Sequence, residues 1–343
     1  MALTLAGDLY PLQGVRGVIE QLHRLYSRPR LKGRTLMGEA LDDLFPVLQV
    51  KGRLLRGLPV KDYRFHVITL LPATCNILAV DASMKTAFDC GSFKVVVVKV
   101  AAAIWSGKSR IHRFEPLKRF ALVRSKLEVE ELMMSMELEV ALTASDRLRT
   151  GDLCVLDRAL MAIPALKSST KTLLEELDFK LNTRGVSLLG VSKSSKMELN
   201  NGEPLIGHLL HRANRILNSC PWYYYPIFKE LQYPSWYVGI PVVAKLDGES
   251  SYAFRVDVSR RSLRRSGLEV CLGMLASLQD PSTPGYPYPL RGVHEDAKIG
   301  RNELGMDRMV FLEALKEAGI LSRFLADLKA TGFKEEGLWC KRG

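Results

Sequence analysis

The stretch FKVVVVKVAAAIW, Phe93 to Trp105, restricts the fold more than any other part of the chain. It is the longest apolar run, yet Lys94 and Lys99 interrupt it, and it falls short of the roughly 18 apolar residues of a membrane span. Four consecutive valines disfavour a helix, because β-branched side chains lose rotamer freedom there. A run of this composition fits a strand buried on both faces of a sheet. RFHVITLL and CNILAVDAS before it, and LCVL and VSLLGVS after it, have the same β-rich character. Between them lie two stretches that read as helices. KLEVEELMMSMELEVALTASDRL (Lys126 to Leu148) contains no Pro or Gly and is rich in Glu, Leu and Met. KSSTKTLLEELDFKLNTRG offers Ser168, Ser169 or Thr170 as its cap.

Strands with interposed helices indicate an α/β domain. WYVGIPVVAKLDG and SYAFRVDVSR read as two further strands across a turn, and residues 303 to 332 as two closing helices split near Gly319. Residues 10 to 60 show three- and four-residue apolar spacing, and residues 1 to 60 are expected to form a helical appendage, leaving 61 to 343 as the main domain.

The chain carries 49 basic against 37 acidic residues, a net charge of +12. Such an excess favours a polyanionic partner, with nucleic acid ahead of a membrane because no basic amphipathic anchor stands out. The first residues lack a basic segment followed by an apolar core, so no secretory signal is expected. Six scattered cysteines without a CxxC pair argue for reduced thiols and a cytoplasmic setting. GxxxxGK[ST], GxSxG and HExxH motifs are all absent, which leaves carboxylates as the chemistry to examine.

Asp81 in ILAVDAS and Asp157 in LCVLDRAL each follow an apolar strand. A carboxylate at a strand end stays partly solvated and can hold a hard cation. The helix between them offers Glu128, Glu130, Glu131, Glu137 and Glu139. Glu137 lies among Met133, Met134, Met136, Leu138 and Val140, the most apolar part, with Glu139 as the competitor. A carboxylate on the core side of that helix needs a cation or a positive partner to offset its desolvation. Two aspartates and a glutamate so arranged suit metal-dependent phosphodiester hydrolysis. SRRSLRRSG, with Arg260, Arg261, Arg264 and Arg265, is either a solvated turn or a grip on DNA phosphates. In GYPYPLRGVH the prolines predict a rigid extended segment presenting Tyr286, Tyr288 and His294.

Taken in order, AVDAS, MELEVAL, VLDRAL, LLGVSKSS and GYPYPLRGVH resemble the motifs of the NurA nucleases over roughly residues 75 to 300. That family's pattern has glycine after the first aspartate, where this chain has Ala82, and glycine-serine after the second, where it has Arg158 and Ala159. The resemblance implies an RNase H-like mixed sheet flanked by helices. It implies Mn²⁺- (or Mg²⁺-) dependent cleavage of DNA from the 5′ end, single-strand endonuclease activity, a role in end processing and break repair, a homodimer, and a HerA-type hexameric ATPase as partner. By the same resemblance Asp81, Glu137 and Asp157 would hold metal, His294 would join them as a ligand or as a proton shuttle, Lys193 would neutralise a phosphate oxygen, and one tyrosine would stand nearby. Spacing does not choose between Tyr286 and Tyr288; Tyr286 is taken here. A non-catalytic nucleic-acid-binding subunit and another RNase H-like nuclease are the competing readings.

Overall fold

A computed structural model describes residues 43–50, 53–72, 74–217, 219–229, 233–280 and 282–332, with Val18, Ile19 and Leu22. Ten strands build one mixed sheet: β1 (Phe65–Val67), β2 (Asn76–Asp89), β3 (Lys94–Ser106), β4 (Ser109–Arg113), β5 (Leu117–Val123), β6 (Leu153–Leu156), β7 (Ser187–Ser192), β8 (Trp222–Tyr224), β9 (Gly239–Lys245) and β10 (Phe254–Ser259). Their order is β1-β8-β9-β10-β7-β6-β2-β3-β4, with β5 also paired to β3. β2, β6 and β7 run parallel to one another, and every other pairing is antiparallel. The valine run is β3, buried almost throughout, as its composition requires.

Alternation along the strands sorts their side chains onto two faces. Leu78, Val80, Cys154, Leu156 and Leu188 pack under helices α1 (Lys126–Ala144) and α2 (Ser168–Thr183). Ile77, Ala79, Leu153, Val155, Leu189 and Val191 face the other way. That face is covered by α4 (Arg260–Ala276) and α5 (Tyr288–Ala297), while α3 (Leu205–Ile216) packs beside the β8–β9 edge. Helices α6 (Arg301–Glu317) and α7 (Leu321–Gly332) close over the far end of the β2–β3 hairpin through Phe311 and Phe324. The expected α/β, RNase H-like class is the observed one. Among the described residues no helix is long and apolar enough to cross a membrane.

Three local expectations change. Pro46–Val50 and Arg53–Arg56 are strands paired with each other, the first also with Glu198–Leu199, where a helix was expected within residues 1 to 60. Most of the remaining helical expectation there lies outside the described residues. Helix α2 starts without a side-chain cap of its own, since Ser168 to Thr170 are already helical. Instead Glu131 of α1 accepts from the Lys167 amide at 2.5 Å and the Thr170 hydroxyl at 3.3 Å. The GYPYPLRGVH segment is extended only to Pro287, the end of strand Thr283–Pro287; from Tyr288 it is helix α5. Proline is tolerated in a first helical turn, where its missing N–H has no intrahelical acceptor to lose, so Pro289 does not prevent it.

Candidate metal and phosphate site

Strand β2 does not end at Asp81 as expected but continues to Asp89. What ends there is its pairing with β6: the last pair is Val80 with Leu156, and the Asp157 amide donates to the Val80 carbonyl at 3.2 Å. Asp81 and Asp157 are therefore side by side where two parallel strands part. Lys193 follows the end of β7, the next parallel strand, on the same edge of the sheet. The carboxyl ends of parallel strands are a general ligand position in open α/β sheets.

Helix α5 brings His294 to this edge. Its Nδ1 lies 2.7 Å from Asp81 Oδ2, and Asp81 Oδ1 accepts from the Ala82 amide at 2.8 Å. The Ser83 hydroxyl donates to the Ala297 carbonyl, and Arg110 and Arg113 pair with Asp296 at 3.0 and 3.2 Å, fixing the helix against the sheet. One ligand atom from each of Asp81, Asp157 and His294 can be chosen so that all lie within 4.8 Å of one another. Burial, and then the neighbouring Asp157 charge, push the Asp81 carboxyl up to about 6 against the pull of His294 and Lys193.

A positive group already sits among these three residues. Lys193 Nζ is 2.5 Å from Asp157 Oδ2, 3.5 Å from His294 Nδ1, and 5.0 Å from the centre of the Tyr286 ring. His294 Nδ1 faces a carboxylate and an ammonium at once, and one ring nitrogen cannot donate to the first and accept from the second. Two carboxylates and an imidazole converging on a point that attracts a cation fit Mn²⁺ or Mg²⁺.

Tyr286 is buried, and its hydroxyl stands beside the Asp157 carboxylate without a hydrogen bond of good geometry among the described residues. Burial, followed by the Asp157 charge, holds that hydroxyl far above the usual tyrosine range. Gly285 allows this placement: its φ is +93°, and a Cβ there would meet the Ser250 hydroxyl at 2.3 Å. Tyr288 instead packs edge-on against Trp105, with ring centroids 5.2 Å apart.

Glu137 does not join the cluster of three. It is 2% exposed, on the α1 face, and its carboxylate meets the Arg158 guanidinium. Burial raises its pKa, and Arg158 opposes the rise. Glu139 is on the outer side of the helix, paired with Arg119 at 2.9 Å. The sequence reading called for a cation or a positive partner at Glu137; Arg158, noted there only as a departure from a glycine, supplies the second. It also overlooked Gly190, where a Cβ would lie 2.2 Å from the Arg158 carbonyl oxygen. Glycine inside the apolar strand LLGVS was the available signal, since it marks a close backbone approach. Asp257 gave no such signal. Held by Arg255 at 2.6 and 2.9 Å, it accepts from the Leu160 amide at 2.9 Å and so anchors the segment after Asp157.

The arginine cluster lies elsewhere. Register pairs Ser192 with Arg255, so Lys193 adjoins the start of β10, whereas Arg260 follows its end at the opposite edge of the sheet. Arg260 reaches the Tyr233 and Pro234 carbonyls, Arg261 pairs with Asp178 at 3.0 Å, and Arg265 contacts Asn182 and Ser187. Arg264 is exposed.

No protein-family model matches this sequence, and no curated protein matches it. Solved structures do. The NurA nuclease from Sulfolobus solfataricus aligns with a TM-score of 0.54 at 14% identity, covering 75% of this chain and 89% of that one. A NurA with manganese aligns at a TM-score of 0.48 and 11% identity, over 73% and 91% of the two chains. Human ENDOV aligns at a TM-score of 0.42 and 11% identity, over 71% and 93%. The likeness to the first of these bears out the family resemblance at the level of the fold.

Proposed function

We propose that this chain is a divalent-metal-dependent nuclease acting on DNA. The observation that carries this reading is the convergence of Asp81, Asp157 and His294, from three separate segments, around a point where the Lys193 ammonium already offsets their charge. A divalent cation held there would stabilise developing charge on a phosphoryl group and make a bound water more acidic. Asp81 and Asp157 would supply carboxylate ligands, and His294 an imidazole oriented by its contact with Asp81. With a cation in place, Lys193 is free to turn from Asp157 to a phosphate oxygen of the substrate. The Tyr286 hydroxyl, beside Asp157, is positioned to turn and donate to the same phosphate. The net charge of +12 suits a polyanionic substrate.

The finer features follow the family resemblance. They are 5′-to-3′ exonuclease and single-strand endonuclease activity, Mn²⁺ as the ion, and a homodimer working with a HerA-type ATPase in DNA end processing and break repair. Unpaired Cys75, Cys90, Cys154, Cys220 and Cys271 suit the cytoplasm. Of the two readings left open for the arginine cluster, a structural one is favoured over a grip on DNA phosphates by the bonds that three of its four members make within the chain.

The test is cleavage of 5′- and 3′-labelled single-stranded DNA with Mn²⁺. Asp81→Ala and Asp157→Ala should each abolish cleavage while DNA binding persists, since each removes a ligand and a negative charge. Near-normal turnover in either variant refutes the assignment, and binding without cleavage by the unaltered chain favours a non-catalytic subunit.

A further inference from the structure

We infer that Arg158 is a fixed internal cation of the carboxylate site, so that the protein binds one divalent ion where a neutral residue at this position would admit a second. This rests on the metal-dependent reading above. Three acidic side chains crowd the point where β2 and β6 part, but they are divided by the sheet. Asp81 continues the face of Ile77 and Ala79 and meets His294. Glu137 approaches from the α1 side and is close enough for the charges of Asp81 and Asp157 to act on it. In a two-metal hydrolase the ions stand about 3.5–4 Å apart and share carboxylates, so a glutamate beside an aspartate cluster is a ligand in waiting for the second ion.

Here that ligand is already occupied. Asp157 and Arg158 are consecutive, and Asp157 turns to the His294 side while Arg158 turns to Glu137. The guanidinium is not a loose surface group, for its side chain is 20% exposed. Its backbone is also clamped. The Arg158 carbonyl lies over Gly190, the Leu160 amide is bound by Asp257, and the Leu160 carbonyl accepts from the Val238 and Gly239 amides at 3.1 Å. Arginine stays protonated at any working pH, so the charge is permanent. A second divalent ion at Glu137 would compete with it for the carboxylate and be repelled by it. Arg158 is thus a positioning residue: it holds Glu137 and supplies fixed positive charge behind the ligands without touching substrate.

Counting bound Mn²⁺ per chain by calorimetry and by the free-ion resonance signal tests this without reference to turnover. The unaltered protein should bind one ion. Arg158→Ala should bind two, and Arg158→Ala combined with Glu137→Gln should return to one. Arg158→Gln keeps bulk and hydrogen-bonding capacity but not charge, and should also bind two if Arg158→Ala does not fold. Two ions in the unaltered protein, or one in a folded Arg158→Ala or Arg158→Gln, overturns the inference while leaving the nuclease reading standing. No bound ion in the unaltered protein removes both, whereas DNA cleavage with two bound ions removes this inference alone.

Discussion

Replacing Gly190 with alanine perturbs the site through the backbone alone. The added Cβ would lie 2.2 Å from the Arg158 carbonyl oxygen and 3.0 Å from Leu160 Cγ. Ordinary contact begins near 3.4 Å, so the carbonyl must retreat by about 1.2 Å. Neither flank yields easily, because the Asp157 amide is bonded to Val80 and the Leu160 amide to Asp257. Overpacking of this kind costs about 1–3 kcal/mol, which should lower the melting temperature by a few degrees. The larger effect is on Asp157, one residue away. A shift of the order of 1 Å in a reacting constellation costs about 10²-fold in rate, and Mn²⁺ affinity should fall with it. Gly207→Ala is the control, since a Cβ there meets nothing within 4 Å in a helix that alanine favours. Differential scanning fluorimetry, Mn²⁺ titration and single-turnover cleavage read the three quantities. If Gly190→Ala matches the unaltered protein in melting temperature and Mn²⁺ affinity, the segment after Asp157 is not rigidly positioned and this account of the site is wrong.

Two further expectations concern single groups. Tyr286→Phe should leave the melting temperature unchanged or slightly higher, because a buried hydroxyl without a well-formed bond is lost while the ring below Lys193 stays; cleavage should slow about tenfold or more, roughly 1.4 kcal/mol. An unchanged rate would make the ring only a floor for Lys193. Between pH 3.8 and about 6 the folded, metal-free protein keeps a proton on Asp81 that the unfolded chain has released, so stability falls as pH rises, by at most about 1.4 kcal/mol per pH unit. Mn²⁺, which needs the ionised carboxylate, should bind more weakly at pH 5 than at pH 7, and equal affinities by calorimetry would contradict the raised Asp81 value.

The elements that composition governs were legible in the sequence. β3 could be read from four valines, and α1 from its lack of Gly and Pro. Glu137 stood out over Glu139 because its neighbours are methionine and leucine, and burial separates the two in that sense. Where each side chain ends up depended on register, which a linear reading does not contain. Asp81 looked like a strand end because AVDAS turns small and polar, although the strand runs on and only its partner stops. The four arginines of SRRSLRRSG read equally as a solvated turn or a phosphate grip; an antiparallel pairing carries them to the far edge, where Asp178, Asn182 and backbone carbonyls engage three of them. Arg158 was visible only as a break in a family pattern, since its role depends on a helix twenty residues earlier. Pro289 looked incompatible with a helix interior, and it is not in one: it sits in the first turn, so the helix carrying His294 was missed.

That helix has a consequence for how the site comes into being. Asp81 and His294 are 213 positions apart in sequence, and they meet only when α5 lies against β2 and β3. A chain truncated before α5, or one in which it has swung away, would retain two aspartates and a lysine but no imidazole. Ion binding and docking of α5 are then linked steps of one equilibrium, each favouring the other by the same factor. The divalent ion would act as a clasp between an early strand and a late helix, stabilising the closed chain in proportion to the logarithm of its concentration above its dissociation constant. Catalytic competence would in this way report that the C-terminal part of the chain has folded into place.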